Sequence, residues 1–234
     1  MPSFSALNAY YAADIPTLLG AEAHSILGEI TANSAFAIDP DQRDAWVLQI
    51  QLLQTGLFGI QGTVFLEFNV PRIGSRLDAV LISGPAIYPI EFKVGETQFI
   101  RDHVNQVWDY GLDLKNFHQA SHSAPIYPIL VATQAHRSDD DFDQPHPDGV
   151  RPPARCNAEG LRHLVTAGVA SARGQPIDAQ AWGDSTYHPT PTIIQAAQAL
   201  YSQHSVEAIA RHDAGARNLK LTSSRVEELI EDSR

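Results

Sequence analysis

Three apolar runs, Thr63 to Val70, Arg76 to Ile82 and Ile87 to Val94, follow one another with only short breaks between them. Pro71-Arg72-Ile73-Gly74 fills the first break and Ser83-Gly84-Pro85 the second, both turn chemistry. The short connection lets the second and third strands pair antiparallel, since a parallel return needs a crossover of a dozen residues or more. An amphipathic stretch from Thr97 to Phe117 then reads as a long helix, and Ile126 to Ala132 as a fourth strand. Pro128 within that strand favours an edge position, a bulge or a strand end. The second and third runs are apolar on both faces apart from a few charges, as in central strands covered on two sides. The fold class is therefore α/β, with a sheet flanked by helices.

The flanking segments add helices. One is expected from Pro16 to Ile30, with Asp14 as a nearby cap, and another from Asp41 to Leu57, capped by Asp39 with Pro40 in its first turn. In the first helix Glu22 falls among the apolar positions Ile15, Leu18, Leu19, Ile26, Leu27 and Ile30. It reads either as a carboxylate reaching solvent from the stripe's edge or as a buried group with a purpose. Glu29 is a second candidate on an adjoining stripe. Residues 1–14 read as a lead-in and residues 136–159, rich in Asp and Pro, as a surface excursion. Leu161 to Ala172 reads as a helix, and Trp182 to Pro191 as an extended linker. Three further helical stretches follow: Ile193 to His204, Val206 to His212 and Thr222 to Asp232. The expected organisation is one domain over residues 1–172 and a linker with a helical extension over 173–234.

Composition narrows the chemistry. A single cysteine, Cys156, excludes an internal disulfide and a cysteine-rich zinc site. The first residues lack a basic segment followed by an apolar one, and no apolar run approaches the roughly 18 residues of a membrane span. A cytoplasmic location without membrane contact is expected. The net charge of −11 opposes binding nucleic acid by charge alone, so such a partner would need a local basic patch or a metal. Arg72, Arg76, Lys93, Arg101 and Lys115 do cluster in one stretch of the chain, and Arg72, Arg76, Arg101 and Lys115 are the nucleic-acid-binding candidates. The ten histidines are scattered, none in a metal-binding pair, and read as surface or packing residues.

The charges inside the strands carry the functional signal. Glu91 and Lys93 are two apart and share a strand face. Asp78 on the preceding strand shares its face with Arg76, Val80 and Ile82, and antiparallel pairing brings it close to Glu91. Two carboxylates and an ammonium in mid-sheet are costly unless a cation joins them. A hard divalent ion suits the oxygens, since Mg²⁺ takes one or two carboxylates and keeps several waters. Such an ion would stabilise charge on a phosphate and lower the pKa of a bound water, which Lys93 would position or help deprotonate. Independently, Phe99, His103, Gln106, Tyr110, Leu114 and Phe117 line one helix face, so Gln106 and Tyr110 need buried partners. They could hold the lysine, the metal ligands or a nucleic-acid backbone.

Gly74-Ser-Arg-Leu-Asp78, then Glu91-Phe-Lys93, then Gln106-Val-Trp-Asp-Tyr110 resembles the PD-(D/E)XK nuclease superfamily, and the Gln-x-x-x-Tyr element its RecB-type branch. EFNVPRIGSRLDAVLI, IEFKVG, QVWDYGLDLKNFH, PILVAT and TYHPTPTIIQAAQALYSQHSVEAIARHDAGARNL are also similar to the N-terminal nuclease-like domain of bacterial proteins that carry a Schlafen-type superfamily 1 helicase module. The resemblance covers most of the chain. It implies a restriction-endonuclease-like αβββαβ core with a central mixed sheet, a Mg²⁺ site (Mn²⁺ as substitute) and a nucleic-acid substrate, DNA before RNA. Carried over, Asp78 and Glu91 are metal ligands, Lys93 is the catalytic lysine, and Gln106 and Tyr110 are the motif pair. Glu22 is the best match for the acidic residue of the leading helix, with Glu67 as the alternative. The chain lacks a GxxxxGK[ST] phosphate loop, so no helicase activity is expected of it; it is either a shortened protein or fragment, or it acts with a separate helicase or ATPase partner.

The leading expectation is a metal-dependent endo- or exodeoxyribonuclease, serving phage defence or DNA processing by resemblance. The alternative is a catalytically inactive nucleic-acid-binding or docking module that works with a helicase. If the chain oligomerises, a dimer is expected.

Overall fold

A computed structural model describes residues 8–34, 39–71, 74–136 and 141–187. The helices expected beyond Ile193 and the turn residue Arg72 lie outside the described residues.

Six strands form one open mixed sheet in strict chain order: β1 (Tyr11–Asp14), β2 (Thr63–Val70), β3 (Ser75–Ser83), β4 (Ala86–Lys93), β5 (Ile129–Ala132) and β6 (Ala154–Cys156). The first four pair antiparallel, β2 to β4 through short turns, and β5 and β6 add in parallel. The β4-to-β5 crossover is made by the long helix α4 (Arg101–Phe117), which the four-residue strand turn could not have provided. Pro128 immediately precedes β5, so of its three expected roles it takes the strand end, where its missing N–H costs no ladder bond. At the other end Gly62 opens β2 with φ +152, and a Cβ there would stand 2.2 Å from the Ile82 carbonyl oxygen. Only glycine lets the two strands meet at that point.

Helices cover both faces. On one side lie α1 (Ile15–Gly20), α2 (Ala23–Asn33), α3 (Pro40–Gly56) and α5 (Leu161–Ser171), whose Leu18, Ile26, Ile30, Trp46, Ile50, Leu53, Leu161 and Leu164 share a core with the sheet. On the other side α4 and the short α6 (Ala179–Gly183) bring Tyr110, Leu114 and Trp182 onto Phe65, Phe68, Val80 and Ile82. Asp39 caps α3 by accepting from the Asp41 amide, with Pro40 in the first turn.

Four expectations need correction. The single helix from Pro16 to Ile30 is two helices, broken where Ala21 and Glu22 are extended. The break ends the apolar periodicity, so Glu22 becomes the exposed N-cap of α2 rather than a group on its buried face. The lead-in contains β1, whose Tyr11 and Ala13 are buried against β2. The excursion after residue 136 contains β6. Residues 177–187, read as an incipient linker from Trp182 onward, pack on the domain: Trp182 is fully buried and His118 bridges to Tyr187 in antiparallel fashion. A large aromatic next to a glycine finds more in the core than in solvent. Among the described residues no helix is long and apolar enough to cross a membrane.

Candidate active site

Strands β3 and β4 pair from Ser83–Ala86 up to Ala79–Ile90 and then part. Asp78 stands at the parting. Its Oδ2 accepts the Phe92 amide at 2.7 Å, so the carboxylate takes the place of a ladder carbonyl. Glu91 and Lys93 flank that amide. Lys93 Nζ donates to Glu91 Oε1 at 2.9 Å and to Gln106 Oε1 at 2.8 Å. Gln106 Nε2 donates to Tyr110 Oη at 3.4 Å, and that hydroxyl donates to the Arg76 carbonyl at 3.1 Å. The expected Gln106–Tyr110 pair therefore holds the lysine. The order of the links follows from donor chemistry: an ammonium has no acceptor, so the amide oxygen must face Lys93 and the amide nitrogen must face the tyrosine.

The two strands also change faces here. Along a regular strand alternate residues share a side. Yet Leu66 and Ala79, a cross-strand pair, lie in the core under α3, while Phe68 and Leu77, the next pair, lie in the core under α4. Glu67 sits between them with φ +52, the one described non-glycine residue with a positive φ. This single left-handed residue breaks the alternation on β2. It sends Phe68 and Val70 to the α4 side and leaves Glu67 pointing toward α3. There Trp46 Nε1 donates to Glu67 Oε1 at 2.7 Å, and Arg76 Nε donates to Oε2 at 3.2 Å. The guanidinium also stacks on the Tyr10 ring, 4.6 Å from its centroid.

Glu67, Asp78 and Glu91 thus crowd against two cations, Lys93 and Arg76. Burial pushes the Asp78 carboxyl well above its ordinary range, and the neighbouring Glu91 charge adds to the rise. Burial also raises Glu91, against the pull of Lys93, and Glu67, against the bonds from Trp46 and Arg76. Tyr110 is raised by burial as well. Glu91 Oε2 is buried with no hydrogen-bond partner. A lone buried carboxylate oxygen beside a second carboxylate fits a hard cation. Among the described residues no three His, Cys, Asp or Glu side chains form a ready-made cage. An ion held by Asp78 and Glu91 would therefore complete its shell with water, as Mg²⁺ does.

The site opens into a cleft of about 470 Å³ between α3 and the β2–β3 turn, lined by Trp46, Glu67, Asn69, Arg76, Asp78 and Gln106 among others. Of the basic residues expected to bind nucleic acid, Arg76 lines it, and among the described residues the other two, Arg101 and Lys115, do not. Lys115 is a correction: it is buried, donates to the Ala124 carbonyl at 2.8 Å, and has its pKa lowered by burial. Its place on the inward face of α4 makes it a structural bond donor, not a surface charge. Arg101 is exposed at the start of α4, away from the cleft lining. Glu22 does not line the cleft either; Glu67, the alternative, does. Trp46 was missed, because a tryptophan in an apolar helical stripe gives no sign of a polar role. Glu67 carried a signal, a carboxylate inside an otherwise apolar strand.

Comparison with protein-family models, curated proteins and solved structures gives no match to this chain.

Proposed function

We propose that the chain is a metal-dependent nuclease of the restriction-endonuclease-like type, hydrolysing phosphodiester bonds of nucleic acid, DNA before RNA. The observation that carries this reading is the parting of β3 and β4 at Asp78, with Glu91 and Lys93 beside it and Glu91 Oε2 left without a partner. The motif resemblance and the order of the elements α3, β2, β3, β4, α4 and β5 support the same reading.

The chain's own residues divide the work. Asp78 and Glu91 would hold Mg²⁺ or Mn²⁺, which when bound supplies charge for the scissile phosphate and acidifies a water. Lys93 spends two of its three N–H donors on Glu91 and Gln106, leaving the third for a water or a phosphate oxygen. Gln106, fixed by Tyr110, keeps the ammonium from collapsing onto Glu91 alone. Arg76 is the cleft's cation for a neighbouring phosphate.

The test is cleavage of mixed DNA and RNA substrates with Mg²⁺, Mn²⁺ or EDTA. Metal-dependent cleavage that falls about 10²–10⁴-fold in Lys93→Ala is the expected result. A folded protein that binds but never cuts would favour the docking module, and with it a separate motor.

A further inference from the structure

Arg76 is held from three directions. Tyr110 Oη bonds its carbonyl, Glu67 Oε2 takes its Nε, and the Tyr10 ring lies against its face. The bond at Nε is side-on, and among the described residues neither terminal guanidinium nitrogen has a partner. A guanidinium bound in this way keeps a planar two-donor edge for a phosphate.

Glu67 is what fixes that edge, and the backbone is strained to let it do so. A positive φ at a glutamate in mid-strand is costly and persists only where surrounding contacts impose it. A plain ion pair across two strands needs no such conformation, because cross-strand neighbours already meet. Nor does it need an indole on the second oxygen. The Trp46 bond leaves Glu67 one oxygen and one direction, and that direction is Arg76. Glu67 and Arg76 line the same cleft as Asp78, so a phosphate on Arg76 would share that cleft with the Asp78 carboxylate.

We propose that Glu67 is a positioning residue that presets Arg76 as a phosphate anchor, engaging a phosphate of the nucleic-acid backbone next to the one attacked. This rests on the nuclease reading. It also assigns Glu67 a role other than ligand, holding Arg76 from its position against Trp46.

The experiment measures KM, kcat and the salt dependence of oligonucleotide binding for wild type, Glu67→Gln, Arg76→Ala and the double variant. Glu67→Gly, which suits the positive φ, serves as a second variant should the glutamine form fold poorly. Removing the carboxylate should raise KM about 10-fold with kcat within about twofold, as loss of an interaction common to substrate and transition state does. The slope of log affinity against log salt should fall by about one, as for loss of a single phosphate contact. The double variant should bind no worse than Arg76→Ala alone. Unchanged KM in both Glu67 variants, additive losses in the double variant, or a fall in kcat alone would overturn the proposal while leaving the nuclease intact. A wild type that neither binds nor cuts nucleic acid would remove the nuclease reading and this one with it.

Discussion

Two groups of buried polar side chains lie within the domain, and they are built on opposite principles. Around Asp78, three carboxylates meet two cations. Around His118, every group is neutral: Nδ1 bonds Ser121 Oγ at 2.7 Å, Trp182 Nε1 donates to the same hydroxyl at 2.9 Å, and the rings of Phe68, Trp182 and Tyr187 close over the imidazole. Burial, and then the nearby His122, lower the His118 pKa to about 4, so the ring is uncharged at neutral pH. Each group contains a buried ionisable atom without a hydrogen-bond partner, Glu91 Oε2 in the first and, together with Tyr187 Oη, His118 Nε2 in the second. The costs of Glu91 Oε2 and His118 Nε2 differ. A neutral ring nitrogen is a modest penalty that aromatic packing offsets. Like charges held together stay expensive until something of opposite sign arrives. One group is finished by packing; the other is arranged for an ion.

That contrast can be broken by substitution. The largest stability effect belongs to the neutral side. Trp182→Ala should cost about 3–5 kcal/mol, the range for deleting a large buried aromatic, and urea unfolding would show it as a lower midpoint. A near-silent Trp182→Ala would mean the neutral group is not a packing device.

Acid should act next. The folded state binds fewer protons at His118 than the unfolded chain does between pH 6.5 and about 4. The contribution is therefore complete above pH 6.5 and lost as pH falls toward 4, on the order of 3 kcal/mol. His118→Gln should be less stable at neutral pH yet lose less on acidification, which paired melting curves can read.

The smallest effect has the opposite pH sign and belongs to the charged side. Asp78 and Glu91 hold protons in the fold that the unfolded chain releases, so metal-free stability should decline as pH rises above the ordinary carboxylate range. Asp78→Asn should flatten that decline and raise the metal-free melting temperature by about 2–4 °C, the shift that ~1 kcal/mol gives a domain of this size. Mn²⁺ should then stabilise wild type but not the variant. A wild type that is most stable at high pH without metal would erase the distinction between the two groups.

The sequence made most of the frame legible because its signals are local. The boundaries of α3, β2, β3 and β4 follow from Asp39-Pro40, Gly62, the turn residues and the period of apolar positions. Glu91, Lys93, Gln106 and Tyr110 come together as strand and helix spacing require. What escaped depends on partners distant in the chain. β1 and β6 are four and three residues long, too short for a period, and exist because an open edge was available beside β2 and β5. Lys115 has the spacing of an α4 residue that faces inward, but nothing local announces the Ala124 carbonyl that receives it. Glu67 could be seen as an acid in an apolar strand, yet its left-handed backbone follows from Trp46 and Arg76 pulling on it together.

Trp182 also sets an order of events in time. The side chains it covers, Phe65 and Phe68, belong to the second strand, and Gly183 leaves no room for a Cβ, which would stand 2.6 Å from the Phe65 ring. During synthesis β2, β3 and β4 can pair long before that tryptophan emerges, but one wall of their core stays open to water until it does. The domain closes last where its chain began early, so a nascent chain shorter than residue 182 would carry a wet, adhesive face through most of its translation.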